Sequence, residues 1–318
     1  MSKFEAIASS FGSTYGIVNG QHQVAVSKRR LLKFAANVGL QLVGVTKQKS
    51  QHTVALANYK ALAMKCAVDF DGESLRLPVG YSRMDMSEKV NISFWTGMVF
   101  AAIVADDILG ISCLVHAASF RRQGLLTVTE GSGRRLADFV GQDRAKKWHV
   151  IEAKARQRPA SAKAQNAWKS QALTVSTVQG CKPATRSYVC TRVHSPYTVE
   201  LVDPAESDTD RTNQMISFPG NAIIRGYYGA LTDWLAVDDT SIRIRRGGAD
   251  LRVKLAGYDT QEREFVFWGM TQSAAEAVAR SEIPRSEVTT DISDTCIGSD
   301  GIVVTTSRDR ALKLEMSD

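Results

Sequence analysis

The chain has 318 residues, of which 44% are hydrophobic and 23% charged, and its formal net charge is +7. These values are ordinary for a soluble globular protein, and the length is enough for two or three compact units. Because it contains neither an internal repeat nor a low-complexity tract, repeat proteins and fibrous proteins are excluded.

Cysteine and histidine usage argues against a zinc site or a disulfide framework. The five cysteines and five histidines are scattered, with no CxxC pair and no HExxH cluster, which favours a reducing compartment. The longest mostly apolar stretch, Ile92–Ala105, is stopped by two aspartates and is too short to span a bilayer. The first residues do not resemble a signal peptide. We therefore expect a cytoplasmic protein with no membrane partner.

Residues 1–85 are predicted to form an N-terminal α+β region without a catalytic motif. Asn19-Gly20 is a turn signal between two short strands, and a basic amphipathic helix follows. The predicted elements are strands at Tyr15–Asn19, Gln23–Ser27, Leu40–Thr46 and Leu75–Pro78, and helices at Lys28–Val38 and Leu56–Val68.

The segment 86–202 is predicted as the central core. It begins with a helix at Asn91–Gly110, capped by Asn91 and ended by Gly110. The broad apolar surface of this helix, from Phe94 to Val104, indicates that it is half-buried against a sheet. Short strands are expected at Cys113–Val115 and Leu125–Glu130.

A hairpin follows, and its second strand alternates in character. If the hairpin turns about Ala145, antiparallel pairing places Asp138 across from Glu152, with Cβ atoms about 4.5–5.5 Å apart. One face carries Trp148, Val150, Glu152 and Lys154, and the other carries His149, Ile151, Ala153 and Ala155. The second face is mostly small and apolar, as expected where a helix packs closely on a sheet.

Two facing carboxylates repel each other unless positive charge lies between them. Lys154 could supply that charge, and so could a divalent cation, whose preferred ligands are carboxylate oxygens. An exposed sheet face with a single Glu–Lys pair is the alternative, because this spacing also occurs by chance.

After the hairpin, Pro159 and Ser161 mark the start of a helix that carries Gln165 at the margin of its apolar side. Strands at Arg186–Arg192 and Thr198–Val202 complete the core. The order helix, strand, hairpin, helix, strand predicts an α/β fold with a mixed central sheet flanked by helices.

The remainder is predicted as an acidic linker, 203–210, and a C-terminal α+β region, 211–318. This region contains a cluster of arginines at Arg243, Arg245 and Arg246. The cluster could contact phosphates, or its charges could equally well protect a sheet edge. The predicted elements are helices at Ala222–Leu235 and Thr271–Arg280, strands at Ser241–Arg246, Leu251–Tyr258, Glu264–Trp268 and Ile302–Thr306, and a polar loop at Glu282–Asp300.

Positive charge is concentrated around the hairpin. Between Phe120 and Ser170 there are twelve lysines and arginines against four acids, a net charge of +8, so the remainder of the chain is nearly neutral. This concentration favours a polyanionic partner over an ordinary solvated face.

The D-x(13)-E-x-K pattern in this order of elements resembles the PD-(D/E)XK nuclease superfamily, the restriction-endonuclease-like fold, over about residues 90–202. The residues that carry the resemblance are Asp138, Glu152 and Lys154, together with Gln165 in the following helix. Ala137 stands where a proline often precedes the aspartate. Lys169 stands where some exonuclease branches have a tyrosine four residues after the glutamine, so a processive exonuclease is disfavoured.

The resemblance implies a divalent metal, Mg2+ or Mn2+, held by Asp138, Glu152 and the Ala153 carbonyl. Lys154 would position or activate the attacking water, and Gln165 would complete the catalytic set. A further acid supplied in some branches has candidates only in Asp106 and Asp107. The residues expected to contact nucleic acid are Arg134, Arg135, Arg156, Arg158, Lys163 and Lys169.

We therefore expect a metal-dependent endonuclease that hydrolyses phosphodiester bonds of DNA in preference to RNA, in genome defence or repair; a homodimer is left open. One alternative is a non-catalytic nucleic-acid-binding or assembly protein on a nuclease-like fold. The other is an ordinary cytosolic protein whose hairpin carboxylates are structural.

Overall fold

The computed structural model describes most of the chain and divides it into two compact units. The described residues are 1–12, 15, 18–38, 47–70, 72–129, 136–203, 214–237, 240–259, 262–286, 288–292 and 294–308, with the backbone alone for 47–53 and 292. Unit 1 comprises Met1–Val26 and Leu62–Ala222, and unit 2 comprises Ser27–Ala61 and Ile223–Asp318.

Unit 1 contains a seven-stranded mixed sheet in the order β2-β1-β9-β8-β6-β5-β3. The β6/β8 and β1/β9 pairs are parallel and the other neighbours are antiparallel. A smaller sheet has the order β4-β10-β7. The strands of unit 1 are β1 (Ser2–Ser9), β2 (Gly20–Val26), β3 (Ile111–His116), β4 (Thr127–Thr129), β5 (Phe139–Asp143), β6 (Trp148–Arg156), β7 (Val175–Val178), β8 (Thr185–Arg192), β9 (Thr198–Val202) and β10 (Gln214–Ser217).

Helices cover both faces of the large sheet. Gly97 of α3 packs on the β6 backbone at Ala155, whereas Trp168 of α5 packs against Tyr188 of β8. Successive residues of a strand point to opposite faces, so α3 and α5 lie on opposite sides of the sheet. The helices in the first 172 residues are α1 (Lys28–Asn37), α2 (Lys47–Ala67), α3 (Met86–Leu109), α4 (Ala117–Arg122) and α5 (Ala162–Ala172), and a 3-10 turn lies at Val79–Arg83.

Unit 2 contains a six-stranded antiparallel sheet in the order β11-β12-β13-β16-β15-β14. Its core includes a buried ion pair, in which Lys33 Nζ lies 2.9 Å from Asp300 Oδ1. Its elements are α1, α2 up to residue 61, most of α6 (Ala222–Ala236), β11 (Ile242–Arg246), β12 (Ala249–Asp259), β13 (Glu264–Thr271), α7 (Gln272–Ala279), β14 (Thr290–Ile292), β15 (Thr295–Ile297) and β16 (Ile302–Ser307).

The predicted α/β class with a mixed sheet and flanking helices is confirmed. The domain division differs from the predicted boundaries, because the region 1–85 is shared between the two units. β1 pairs with β9 and so belongs to the central sheet, whereas α1 lies against β15 and β16 of unit 2. Unit 1 also extends beyond residue 202 through β10, and 204–210 of the predicted linker lie outside the described residues.

Several predicted elements were wrong in extent: the predicted helix Leu56–Val68 begins at Lys47, and the predicted strand Leu75–Pro78 is reduced to an isolated bridge at Arg76. The central helix starts at Met86, where Asp85 and Glu88 form a reciprocal capping box, so Asn91 is not its cap; Gly110 does end it, at φ 67°. The predicted strand Tyr15–Asn19 is not a strand at Tyr15, Val18 and Asn19, while 16 and 17 lie outside the described residues; the strand that pairs with β2 is β1. The predicted polar loop Glu282–Asp300 contains the short strands β14 and β15.

By length and composition alone, α3 could cross a membrane, whereas the apolar stretch Ile92–Ala105 considered from the sequence is too short. However, 67% of its most apolar window is buried within the protein. Such burial is typical of the core helix of a soluble protein, so α3 gives no indication of a membrane location.

Candidate active site

The β5–β6 hairpin has the register predicted from its alternation. Phe139 pairs with Ile151 and Val140 with Val150, so the next position along places Asp138 opposite Glu152. The turn is stabilised by Asp143, whose Oδ1 accepts a hydrogen bond of 2.8 Å from the Lys147 backbone amide. The register therefore brings two carboxylates to the end of β5 and the middle of β6.

Backbone amides fix each carboxylate by one oxygen. The Ala153 amide donates to Asp138 Oδ2 over 3.0 Å, and the Asp138 amide donates to Glu152 Oε2 over 3.2 Å. These reciprocal hydrogen bonds hold the two side chains side by side, on the two strands of one hairpin.

Lys154 supplies the positive charge that the facing carboxylates require. Its ammonium group forms an ion pair with Glu152 Oε1, and its Nζ lies 3.8 Å from Asp138 Oδ2. When all three groups are ionised their net charge is −1, so the cluster can accommodate further positive charge.

Burial sets the electrostatics of Glu152. Its side chain has no exposed surface, whereas those of Asp138 and Lys154 are 23% and 28% exposed. Burial and, to a lesser degree, the Asp138 charge raise the pKa of Glu152 to about 7, while Lys154 opposes this shift. A carboxylate with this pKa changes protonation near neutral pH, as many functional carboxylates do.

The small residues of β6 allow α3 to pack very closely, as predicted from the alternation. A Cβ atom at Gly97 would lie 3.0 Å from the Lys154 carbonyl carbon and 3.1 Å from Ala155 Cβ. Further along, Gln157 Nε2 donates to Tyr81 Oη over 3.2 Å, and that hydroxyl lies 3.2 Å from Ser93 Oγ. These contacts fix α3 against the second half of β6.

An open groove of about 720 Å³ lies between α3 and the second half of β6. Asp138, Ala153 and Lys154 are part of its lining, so the carboxylate cluster opens into it. Arg156 and Arg158, two of the predicted nucleic-acid contacts, also line the groove and are exposed. The Arg156 guanidinium lies 5.1 Å over the Trp168 ring of α5.

The other predicted site residues are less closely associated with this cluster. Gln165 is half-buried on α5, and no contact joins it to the three clustered side chains in the described structure. Lys163 is exposed and Lys169 half-buried on the same helix. Arg134 and Arg135 lie outside the described residues.

Asp106 and Asp107 do not join the cluster. Gly97 contacts β6 beside Lys154, and Asp106 follows nine residues later on α3, about 13.5 Å further along a helix. Within the described part of the chain no group of three or more His, Cys, Asp or Glu side chains is arranged to hold a metal. A metal site here would therefore rely on two carboxylates and a backbone carbonyl.

Sequence reasoning missed the wall of the groove that α3 supplies. Phe94 was assigned to the buried surface of the helix, but it is 50% exposed and lines the groove, as does Val90 at 62% exposure. The spacing of Met86, Val90 and Phe94 by four residues was the available signal. It shows that these side chains share a face, although periodicity alone does not tell which face is covered.

In comparisons with protein-family models, curated proteins and solved structures, no match to the chain was found.

Proposed function

We propose that the chain is a metal-dependent endonuclease that hydrolyses phosphodiester bonds, with DNA rather than RNA as its substrate. The observation that carries this proposal is the cluster of Asp138, Glu152 and Lys154, two of whose members, Asp138 and Lys154, line a groove with exposed arginines. Phosphodiester hydrolysis requires charge stabilisation at the phosphate and an ionisable water, and this set of side chains is suited to both.

The residues fit a divalent cation. Asp138 and Glu152 offer carboxylate oxygens from adjacent strands, and the Ala153 carbonyl would be the third protein ligand. The ionised cluster has a net charge of −1, and Glu152 is buried beside a second carboxylate, which raises its pKa. When bound, Mg2+ or Mn2+ supplies positive charge that polarises the scissile phosphate and favours ionisation of a water.

Lys154 and the arginines have separate roles in this proposal. Lys154, whose side chain is 28% exposed, lines the groove, and its ammonium group can donate hydrogen bonds to a water or to a phosphate oxygen that enters it. Arg158, exposed two residues beyond the end of β6, can hold the DNA backbone at the side of the reacting phosphate. Gln165 is kept as an auxiliary catalytic residue that would act only if α5 approaches the substrate.

A non-catalytic nucleic-acid-binding protein is the second candidate. It is favoured by the ion pair between Lys154 and Glu152, because this pair already compensates the charge of one carboxylate without a metal. In that case the same groove would bind nucleic acid without cleaving it.

Incubation with supercoiled plasmid DNA in Mg2+ or Mn2+ tests the proposal. We expect conversion to open-circular and linear DNA, and no conversion in EDTA; a circular substrate reports endonuclease activity alone. Asp138→Asn should lower the rate about 100-fold or more, because charge stabilisation by the metal is worth several kcal/mol. Asp250→Asn, the same substitution at an exposed residue of unit 2, is the matched control and should leave the rate unchanged.

Retardation of the plasmid in a gel without cleavage in either metal would contradict the nuclease proposal and support the second candidate. Equal cleavage by the wild-type protein and by Asp138→Asn would also contradict it.

A further inference from the structure

One wall of the groove is an exposed apolar row on α3. Met86, Val90 and Phe94 follow one another at four-residue spacing, and their exposed fractions are 75%, 62% and 50%. All three line the groove. Large apolar side chains that are exposed together, rather than singly, indicate a binding surface.

The groove also has a basic lining. Lys89 of α3 and Lys154, Arg156 and Arg158 of the β6 side line it, against a single lining acid, Asp138. An occupant must therefore combine negative charge with flat apolar surfaces. A nucleic-acid strand combines phosphates with base faces in this way, whereas an acidic peptide has no regular series of flat apolar groups.

We propose that this groove binds single-stranded DNA, with one or two unstacked bases against Phe94 and Val90 while the phosphates follow Lys154 and Arg158. This inference deepens the proposed nuclease function and rests on it for the role of the site. It makes a single strand, or a single-stranded segment of a branched, frayed or negatively supercoiled molecule, the preferred substrate, so a supercoiled plasmid remains a substrate through its transiently unpaired segments.

The exposed apolar wall of the groove favours a single strand over a duplex. A duplex presents a convex, charged surface and keeps its base faces stacked inside, so it offers the Phe94 ring no base to stack on. An unpaired strand has exposed base faces that stack on aromatic rings regardless of sequence.

The contacts on the buried side of the groove keep this wall in place. Gly97 and Ser93 face β6 and Tyr81, while Phe94, one residue further round the helix, remains exposed. Phe94 is in ring contact with Trp95, with centroids 5.1 Å apart. Because the helix is held against the sheet, stacking does not require α3 to be reorganised on binding.

Fluorescence anisotropy tests the inference with a labelled mixed-sequence DNA strand and with the same strand annealed to its complement. Both are measured in EDTA and again in Ca2+, so that binding is recorded separately from cleavage. We expect Phe94→Ala to raise the Kd for the single strand about 5- to 100-fold, as for the loss of one base–aromatic stack, with less than about a twofold change for the duplex. Phe94→Trp should restore binding.

Tyr258→Ala is the matched control, because Tyr258 in unit 2 is also 50% exposed. Its Kd for the single strand should equal that of the wild-type protein. If Phe94→Ala binds the single strand as well as the wild type does, or weakens duplex binding equally, the inference is overturned.

The two proposals fail in distinguishable ways. Cleavage of plasmid DNA together with strand binding that is indifferent to Phe94 would leave the nuclease function intact and overturn this inference. Phe94-dependent strand binding without any metal-dependent cleavage would support the inference and overturn the nuclease function.

Discussion

Glu152 is placed where a carboxylate is costly for folding. It has no exposed surface, it faces Asp138, and Lys154 and the Asp138 backbone amide compensate its charge in part. A buried group whose charged form is disfavoured lowers stability at neutral pH unless an additional cation is bound. Retaining such a residue on a strand is typical of a site selected for function rather than for stability.

The first prediction concerns the stability of Glu152→Gln. The folded-state pKa of about 7 lies above the ordinary value of 4.5, so the folded protein retains a proton that the unfolded chain releases between these values. Stability contributed by this proton is complete below pH 4.5 and is lost as pH rises through 7, on the order of 3 kcal/mol. Glutamine does not titrate, so the variant does not lose stability in this way as pH rises. It should therefore melt at a higher temperature than the wild type at pH 8.

Thermal unfolding at pH 5 and pH 8 measures this effect, and the difference between the two proteins should be smaller at pH 5. Glu282→Gln is the control, because Glu282 also forms an ion pair, with Arg280, but is 60% exposed; it should show no such pH dependence. A Glu152→Gln protein that is less stable than the wild type at pH 8 would show that burial does not dominate at this residue.

At the scale of elements, the contact between α3 and β6 positions the groove beside the carboxylates. The second prediction compares glycine-to-alanine changes in two helices. Gly97→Ala should destabilise the protein or leave it unchanged, because its Cβ would lie 3.0 Å from the Lys154 backbone. A Cβ atom added at Gly229 in α6 would have no described atom within 4 Å. Gly229→Ala should therefore stabilise the protein by about 0.5–1 kcal/mol, the usual gain of alanine over glycine in a helix.

Urea unfolding of both variants checks this comparison. The displacement of α3 should also lower the plasmid cleavage rate of Gly97→Ala but not that of Gly229→Ala. Equal stabilisation by the two substitutions would mean that the close approach at Gly97 does not constrain α3.

The hairpin could be predicted from the sequence because its information is local. Strand alternation and a short turn determine its register, and the register determines that Asp138 faces Glu152. The α5 start was predicted for the same reason, since Ser161 accepts from the Ala164 amide as an N-cap should. Local patterns of this kind do not require knowledge of the rest of the fold.

Elements that depend on distant partners were missed. β1 alternates with Phe4, Ala6 and Ala8 on its buried face, but alanine has little preference for strands, and pairing with β9 is what stabilises it. β14 and β15 have three residues each and form by pairing within the sheet of unit 2. The exposure of Phe94 likewise depends on which side of α3 meets the sheet, which the helical period does not specify.

At the scale of the whole molecule, charge is distributed to suit a polyanion. The segment from Phe120 to Ser170 carries a net charge of +8, while the whole chain carries +7. Arg156, Arg158 and Lys163 are exposed members of this segment, so they can attract DNA toward the groove over about one Debye length, 8 Å at physiological ionic strength. In unit 2, Arg243 and Arg245 are exposed on the edge strand β11, which agrees with their alternative role of protecting a sheet edge.

Plasmid cleavage by Glu152→Gln decides whether the carboxylates of the β5–β6 hairpin form an active site. The variant is expected to be at least as stable as the wild type at pH 8, so a loss of activity could not be attributed to unfolding. We predict that the wild-type protein converts supercoiled plasmid in Mg2+ and that Glu152→Gln, at the same concentration and pH, forms no product above the EDTA control. Cleavage by Glu152→Gln at the wild-type rate would contradict the assignment of a metal-dependent active site to the β5–β6 hairpin.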